Sequence, residues 1–232
     1  MGDLLKFFAE HAEWSRLPAF GAVGVIFDAS GPNVAVAEEY LNLVGRRQIP
    51  YRVIDRRRLD AAALEGLRAA LAFDLAPPSE AERRLLRDFA ARGGLVLGGP
   101  AWGEAPKEQA YAVEGIEEGE VAVYKDDPPD PQSVVRDLND LLATPDFGVS
   151  FFNAPSVLPY VRAGENGRLL IQLVNYADRP ADSVTIWASG RFSSARLLVP
   201  GAAPSELPLK RSGGRTEAIV RTLPVYGALL LE

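Results

Sequence analysis

Residues 20–33 read FGAVGVIFDASGPN. An unbroken apolar run ending in an acid and a Gly-Pro turn predicts a strand buried on both faces, as in a parallel sheet. Residues 34–47 follow with Val36, Tyr40, Leu43 and Val44 at helical spacing. Residues 50–55 (PYRVID) predict a second strand, 59–65 a short helix or turn, and 67–73 (LRAALAF) a third strand before a loop over 74–78. Ser79 then reads as an N-cap, with Glu80 and Glu82 in the first turn of a helix that Gly93-Gly94 closes. Residues 95–99 (LVLGG) form a fourth strand running into a glycine turn. Strands alternating with helices in this way predict an open, mostly parallel sheet of the flavodoxin or amidotransferase-like kind. Residues 114–125 predict a hairpin or added edge strand, and 132–142 a helix that ends this first domain near 143–147 (ATPDF).

Beyond residue 147 the pattern changes. Residues 147–151, 158–161, 168–176, 183–188, 195–199, 216–221 and 225–231 all read as short strands. Turn signals at 164–167, 178–180, 189–191 and 212–214 separate them, which predicts an antiparallel β-sandwich. The expected organisation is therefore an α/β domain over 1–146 and an all-β sandwich over 147–232. A chain of 232 residues suits two small domains.

Composition narrows the function. Net charge is −6 and the pI is near 5.0, and the nearest approach to a basic cluster, Arg56-Arg57-Arg58, is short and sits among acidic neighbours. Neither a nucleic-acid surface nor an anionic-membrane surface is expected from that balance. There is no cysteine, which excludes disulfides, thiolate nucleophiles and cysteine-ligated metals. Residues 1–16 place Leu4, Leu5, Phe7 and Phe8 among charged residues, as in an amphipathic helix and unlike a signal peptide. A cytoplasmic location is the expectation, with export as part of a longer chain left open. The single histidine, His11, lies in that helix and reads as a surface residue, so a triad or a two-histidine metal site is remote.

Several segments carry a resemblance. Residues 20–30 (FGAVGVIFDAS), 49–55 (IPYRVID) and 85–99 (LLRDFAARGGLVLGG) resemble successive strand and helix units of a class I glutamine-amidotransferase-like domain. Residues 169–176 (LLIQLVNY), 197–200 (LLVP) and 224–230 (PVYGALL) resemble strands of a small C-terminal sandwich. In this order they are similar to the trimerisation and C-terminal domains of family 42 β-galactosidases and related glycosyl hydrolases. The resemblance implies carbohydrate metabolism as context. It does not bring catalysis with it, because in such enzymes the catalytic carboxylates belong to a preceding TIM barrel.

The candidate chemistry is sparse. A nucleophile elbow needs cysteine or serine at a strand-to-helix turn, and here the turn reads Gly98-Gly99-Pro100-Ala101-Trp102. Glycoside hydrolysis needs two facing carboxylates. Asp28, Asp55 and Asp74 follow the first three strands, at the edge where open α/β sheets bind ligands. The alternative role of each is turn formation or helix capping. Residues 28–33, including Ser30, are a candidate cradle for a phosphate or a sugar hydroxyl, but G-x-G-x-x-G and a P-loop lysine are missing. The acids between Glu114 and Asp130 lack the alternating spacing of a calcium loop. No cofactor and no metal are expected.

Trp102, Trp187 and Tyr176 are candidate sugar-stacking platforms. Trp102 sits in a loop, and strand alternation sets Trp187 with Thr185 opposite Val184 and Ile186. Core packing is the competing role for the two tryptophans. Ligand-binding candidates are thus Asp28, Ser30, Asp55, Asp74 and Trp102, with no catalytic residue. The expected function is a non-catalytic accessory or assembly module of a glycosidase-like protein, whose partner is a second copy or a glycosidase catalytic domain. The alternatives are a carbohydrate-binding protein, or a hydrolase using strand-end carboxylates.

Overall fold

The structure, a computed structural model, describes residues 2–32, 34–75, 77–142 and 147–232. The chain divides into two compact units, one of Gly21–Arg47 and Tyr51–Pro145, the other of Met1–Phe20, Gln48–Pro50 and Asp146–Glu232.

The first unit is the expected α/β domain. Its strands are β1 (Val23–Phe27), β2 (Tyr51–Asp55), β3 (Ala69–Leu71), β4 (Leu95–Gly98), β5 (Tyr111–Ile116) and β6 (Gly119–Tyr124). They form one sheet in the order β2-β1-β3-β4-β6-β5, parallel throughout except for β5, which pairs antiparallel with β6. The central strands are apolar because both faces are covered: Val23, Val25, Leu71, Val96 and Leu97 are all buried. Gly24 is needed for close packing, since a Cβ there would stand 2.6 Å from Leu67 Cδ1.

One face of the sheet carries α2 (Val34–Arg46) and α5 (Pro131–Leu141), which pack on each other. Helix α2 buries Tyr40 and Val44 of the expected stripe, together with Ala37, and leaves Val36 and Leu43 half-buried. An aromatic column fills this side. Tyr40 stacks on Phe73 at 4.9 Å between centroids, and Phe73 meets Tyr124 edge-on at 5.5 Å. Both buried hydroxyls are satisfied, Tyr40 donating to Pro129 O at 2.8 Å and Tyr124 to Asp137 Oδ2 at 3.2 Å. The other face carries the short α3 (Ala61–Leu64) and α4 (Glu80–Ala91), whose Leu86, Phe89 and Ala90 enter a core with Ile26, Val96 and Val121. Ser79 caps α4 as read from the sequence, in a full capping box with Glu82. The expected boundary over 143–147 falls mostly outside the described residues, as do Asn33 and Ala76 in the two candidate loops.

The second unit is the expected sandwich. Its strands are β7 (Val149–Phe152), β8 (Val157–Ala163), β9 (Leu169–Asn175), β10 (Ala181–Ser189), β11 (Ala195–Leu198), β12 (Ser205–Glu206), β13 (Leu209–Ser212), β14 (Arg215–Leu223) and β15 (Tyr226–Leu231). They form two antiparallel sheets, β13-β14-β10-β7 and β12-β11-β15-β9-β8. Between them lies a core that includes Ile171, Leu173, Val184, Ile186, Val220 and Leu229, each fully buried. Strands β12 and β13 were not expected. Both are short and mostly exposed, so neither has an apolar alternation to reveal it.

The N-terminal segment departs from the expected domain limits of 1–146. Helix α1 (Gly2–Glu10) and a 3-10 turn at Ala12–Arg16 belong to the sandwich unit. Phe7 and Trp14 cover Leu170, Leu198, Tyr226 and Ala228 on the outer face of the five-stranded sheet. This explains why β9 and β15 are nearly continuous apolar runs: the helix hides the face that would otherwise meet water. The chain then runs antiparallel along β8, with Phe20 N–H donating to Val161 O and Ala163 N–H to Pro18 O, both at 2.9 Å. His11 is not a free surface residue, because its ring stacks on Trp14 at 4.1 Å with the planes 7° apart.

Candidate functional site

The order β2-β1-β3 reverses direction at β1: the chain moves outward to β2 and then returns to the far side of β1 for β3. Such a switch point opens a crevice at the carboxyl ends of the strands, where open α/β sheets bind ligands. Three of the predicted acids lie along this edge.

Two of them meet. The backbone N–H of Asp28, just past β1, donates to Asp74 Oδ2, just past β3. Asp28 Oδ1 accepts from Ser30 N–H at 3.1 Å and from Ser30 Oγ at 2.8 Å, which folds residues 28–30 into an Asx turn. Asp28 Oδ2 faces Arg56 Nη1 at 3.3 Å. Arg56 also grips Glu82 through Nε to Oε1 at 2.7 Å and Nη2 to Oε2 at 3.0 Å, and donates to Pro77 O at 3.1 Å. Its guanidinium therefore ties the end of β1 to the start of α4. The two serine hydrogen bonds, followed by Arg56, hold the Asp28 carboxyl below the usual carboxylate range.

Asp74 is different in kind. It is 4% exposed, and its Oδ1 has no hydrogen-bond partner. Burial pushes its pKa up, against the lowering effect of the Asp28 N–H. The void beside it, lined by Tyr40, Phe73, Val36 and Ile26, measures about 10 Å³, which admits at most one water. A sugar ring does not fit there.

Asp55 does not join this cluster. It holds Arg57 by Nε–Oδ1 at 3.0 Å and Nη2–Oδ2 at 2.6 Å, and it caps the next turn by accepting from Arg57 N–H at 2.9 Å. The arginine bonds lower its pKa to about 2. Its role is local turn closure.

Trp102 is a correction. It ends a 3-10 turn, Pro100–Trp102, directly after β4, and is only 4% exposed. Its indole lies in the α4 core with Leu86, Phe89 and Val123, over Gly98, where any Cβ would overlap the ring. Arg83 stands 5.9 Å above it and donates to Ala101 O. No face is left for a sugar. The place where a nucleophile would sit is filled by a core anchor.

The exposed tryptophan is Trp187. Val184 and Ile186 point into the sandwich core, and Trp187, 40% exposed, points outward from β10. Its Nε1 donates to Glu217 Oε2 at 2.8 Å on the neighbouring β14. Lys210 of β13 stands opposite Glu217 in turn, and Arg215 opposite Ser212. These residues line a depression of about 320 Å³, and Lys210 and Glu217 also line a second one of about 560 Å³ with Glu206, Ile219 and Arg221. Arg215 and Glu217, beside and within the expected strand over 216–221, carry no local sign of a site, and Lys210 was missed from sequence because β13 was not recognised. The signal was Gly213-Gly214, a two-residue turn with φ of 57° and 81°, which implies a strand on each side. Tyr176, also exposed, donates its hydroxyl to Pro155 O at 2.9 Å. Among the described residues there is no cluster of three His, Cys, Asp or Glu that could hold a metal ion, and no helix long and apolar enough to cross a membrane.

Comparison with known proteins gives fold neighbours. No protein-family model matches the chain, and no curated protein matches it. Among solved structures, an α-L-fucosidase isoenzyme 2 from Paenibacillus thiaminolyticus superposes with a TM-score of 0.67 at 12% identity, over 97% of this chain and 51% of that one. A β-galactosidase from Bacillus circulans sp. alkalophilus gives 0.57 at 11% identity, over 92% of this chain and 42% of that one. A catalytic mutant of a GH42 β-galactosidase from G. stearothermophilus gives 0.55 at 10% identity, over 93% and 41%. The chain thus spans about half the length of the fucosidase and about two fifths of each β-galactosidase. At these identities the likeness is one of fold, and the matched stretch is a portion of each glycosidase.

Proposed function

We propose that this chain is a non-catalytic accessory or assembly module of a glycosidase-like protein. One observation carries the reading. Among the described residues, side chains of the protein itself occupy the carboxyl edge of the parallel sheet, where such a fold would do chemistry. Trp102 plugs the turn after β4, and Arg56 with Ser30 occupies the Asp28 carboxylate. Asp74 faces a void of one water's size. A carboxylate held by Ser30 and Arg56, beside one that faces a void of one water's size, does not favour a glycosidase pair among the described residues. Fold neighbours among glycosidases, each more than twice or about twice as long as the matched region, agree with a module rather than a whole enzyme.

The test pairs turnover with assembly. The purified chain is incubated with aryl α-L-fucoside and aryl β-galactoside, and its mass in solution is measured by light scattering across a range of concentrations. The expected results are no turnover above the buffer rate and a mass that rises with concentration. Turnover that disappears in Asp74→Asn would overturn the non-catalytic reading. A strict monomer at high concentration would remove self-assembly and leave a heterologous catalytic domain as the partner.

A further inference from the structure

We propose that the outer face of the β13-β14-β10-β7 sheet binds an acidic oligosaccharide, with Trp187 as the stacking platform and Lys210 and Arg215 as the anion contacts. The sheet face is built for a flat, partly apolar ligand. A pyranose ring presents an apolar C–H face to an aromatic plane and hydroxyls at its rim. Trp187 supplies the plane, and Glu217 holds the indole by its N–H, so the ring is fixed before any ligand arrives. Glu217 Oε1 has no protein partner among the described residues and is left to accept a sugar hydroxyl at the edge of the platform.

Charge selects the ligand class. On this face the outward residues of β13 and β14 are Lys210, Ser212, Arg215, Glu217, Ile219 and Arg221, with Thr216, Ala218 and Val220 pointing inward. These two strands thus carry three cations and one carboxylate that is already engaged, and Glu206 of β12 adds a second acid in the larger depression. The Lys210, Arg215 and Arg221 side chains make no ion pair among the described residues, in a chain whose net charge is −6. A local basic patch on an acidic protein, set around an exposed indole, complements a sugar that carries a carboxylate or a sulfate. The run from Arg215 to Arg221 along β14 extends about 20 Å, long enough for several sugar rings in sequence. The two depressions that Lys210 and Glu217 line give that run its depth.

The proposal rests on this sheet alone, so it can fail while the non-catalytic reading stands, and the reverse. The test titrates the full chain with three oligosaccharides of matched length: an oligogalacturonide, a sulfated galactan fragment and a neutral galactan fragment. Calorimetry and tryptophan fluorescence provide the readouts. The chain has three tryptophans, and Trp14 and Trp102 are buried, so quenching reports mainly on Trp187. The expected result is saturable binding of an acidic probe, at least about tenfold tighter than the neutral one and weakening with salt. The tighter of the two acidic probes then distinguishes carboxylate from sulfate. Trp187→Ala should weaken binding about tenfold or more, and Trp187→Phe should keep part of it. The double variant Lys210→Ala with Arg215→Ala should erase the preference for acidic over neutral sugar. Thermal melting checks that each variant is folded. No saturable binding of either acidic probe, unchanged affinity in folded Trp187→Ala, or equal affinity for the neutral probe would each overturn the proposal.

Discussion

Arg56 and Glu82 form a two-pronged pair, Nε to Oε1 at 2.7 Å and Nη2 to Oε2 at 3.0 Å, between the end of β2 and the first turn of α4. Their side chains are 22% and 16% exposed, so the pair is shielded enough to matter. Arg56 also reaches Asp28, which makes it the hub of the switch-point edge. Arg56→Ala is expected to destabilise the α/β unit by about 2 kcal/mol, the range for hydrogen bonds to charged groups. Urea unfolding of wild type and variant at pH 7 measures it. A change under about 0.5 kcal/mol would mean that water replaces the arginine without loss.

The acids of this edge should pull stability in opposite directions with pH. The Arg56 and Ser30 contacts lower the folded-state pKa values of Glu82 and Asp28 respectively. Their contribution is therefore present above the unfolded pKa values and is lost as pH falls through the folded ones. Asp74 runs the other way. Burial raises its folded pKa above the unfolded value, so its ionisation costs stability as pH rises from the unfolded value through the folded one. Asp74→Asn keeps an oxygen to accept the Asp28 N–H and removes the buried charge. Its urea midpoint is expected at or above that of wild type at pH 7, with the difference shrinking towards pH 3. A variant that is less stable than wild type at pH 7, and equally so at pH 3, would show that shape or the unpartnered amide outweighs the charge.

Much of this was legible from local pattern. Alternation alone placed Val184 and Ile186 inside and Trp187 outside, because a strand with one buried face repeats every two residues. Ser79 reads as the N-cap of α4 and Glu82 as an acid of its first turn, and the structure closes the two into a capping box. The illegible parts are long-range. Asp28 and Asp74 are 46 residues apart, and only the β1-β3 pairing brings them together. Arg56 reads as one of three consecutive arginines, with nothing local to separate it from its exposed neighbour Arg57. Trp102 reads as a loop residue. The clue to its burial is Gly98, four residues earlier, which clears space for the indole.

That burial has a measurable consequence. Trp102→Ala removes a large side chain from the core beside Leu86 and Phe89, and is expected to cost about 3–5 kcal/mol. The loss should appear as lower stability of the α/β unit, seen by urea unfolding with near-UV circular dichroism. Sugar binding at the sandwich should be unchanged in the folded variant. A Trp102→Ala protein with wild-type stability would contradict the buried position.

The N-terminal segment offers the sharpest separation between sequence and structure. Its amphipathic character was readable, but its partner was not, because Phe7 packs on residues more than 160 positions away, Leu170, Leu198 and Tyr226. Phe7 sits at the centre of an aromatic group, with Trp14 at 5.7 Å, Tyr226 at 5.8 Å and His11 at 4.7 Å between centroids. Phe7→Ala should therefore destabilise the sandwich by about 3–5 kcal/mol, although the substitution lies outside every strand. Hydrogen exchange locates the effect. If α1 covers β9 and β15 as described, amides of Leu170 and Ala228 should lose protection in the variant, while those of β1 and β4 in the other unit should keep theirs. Loss of protection confined to β1 and β4 would instead return the helix to the α/β domain, where the sequence pattern first placed it.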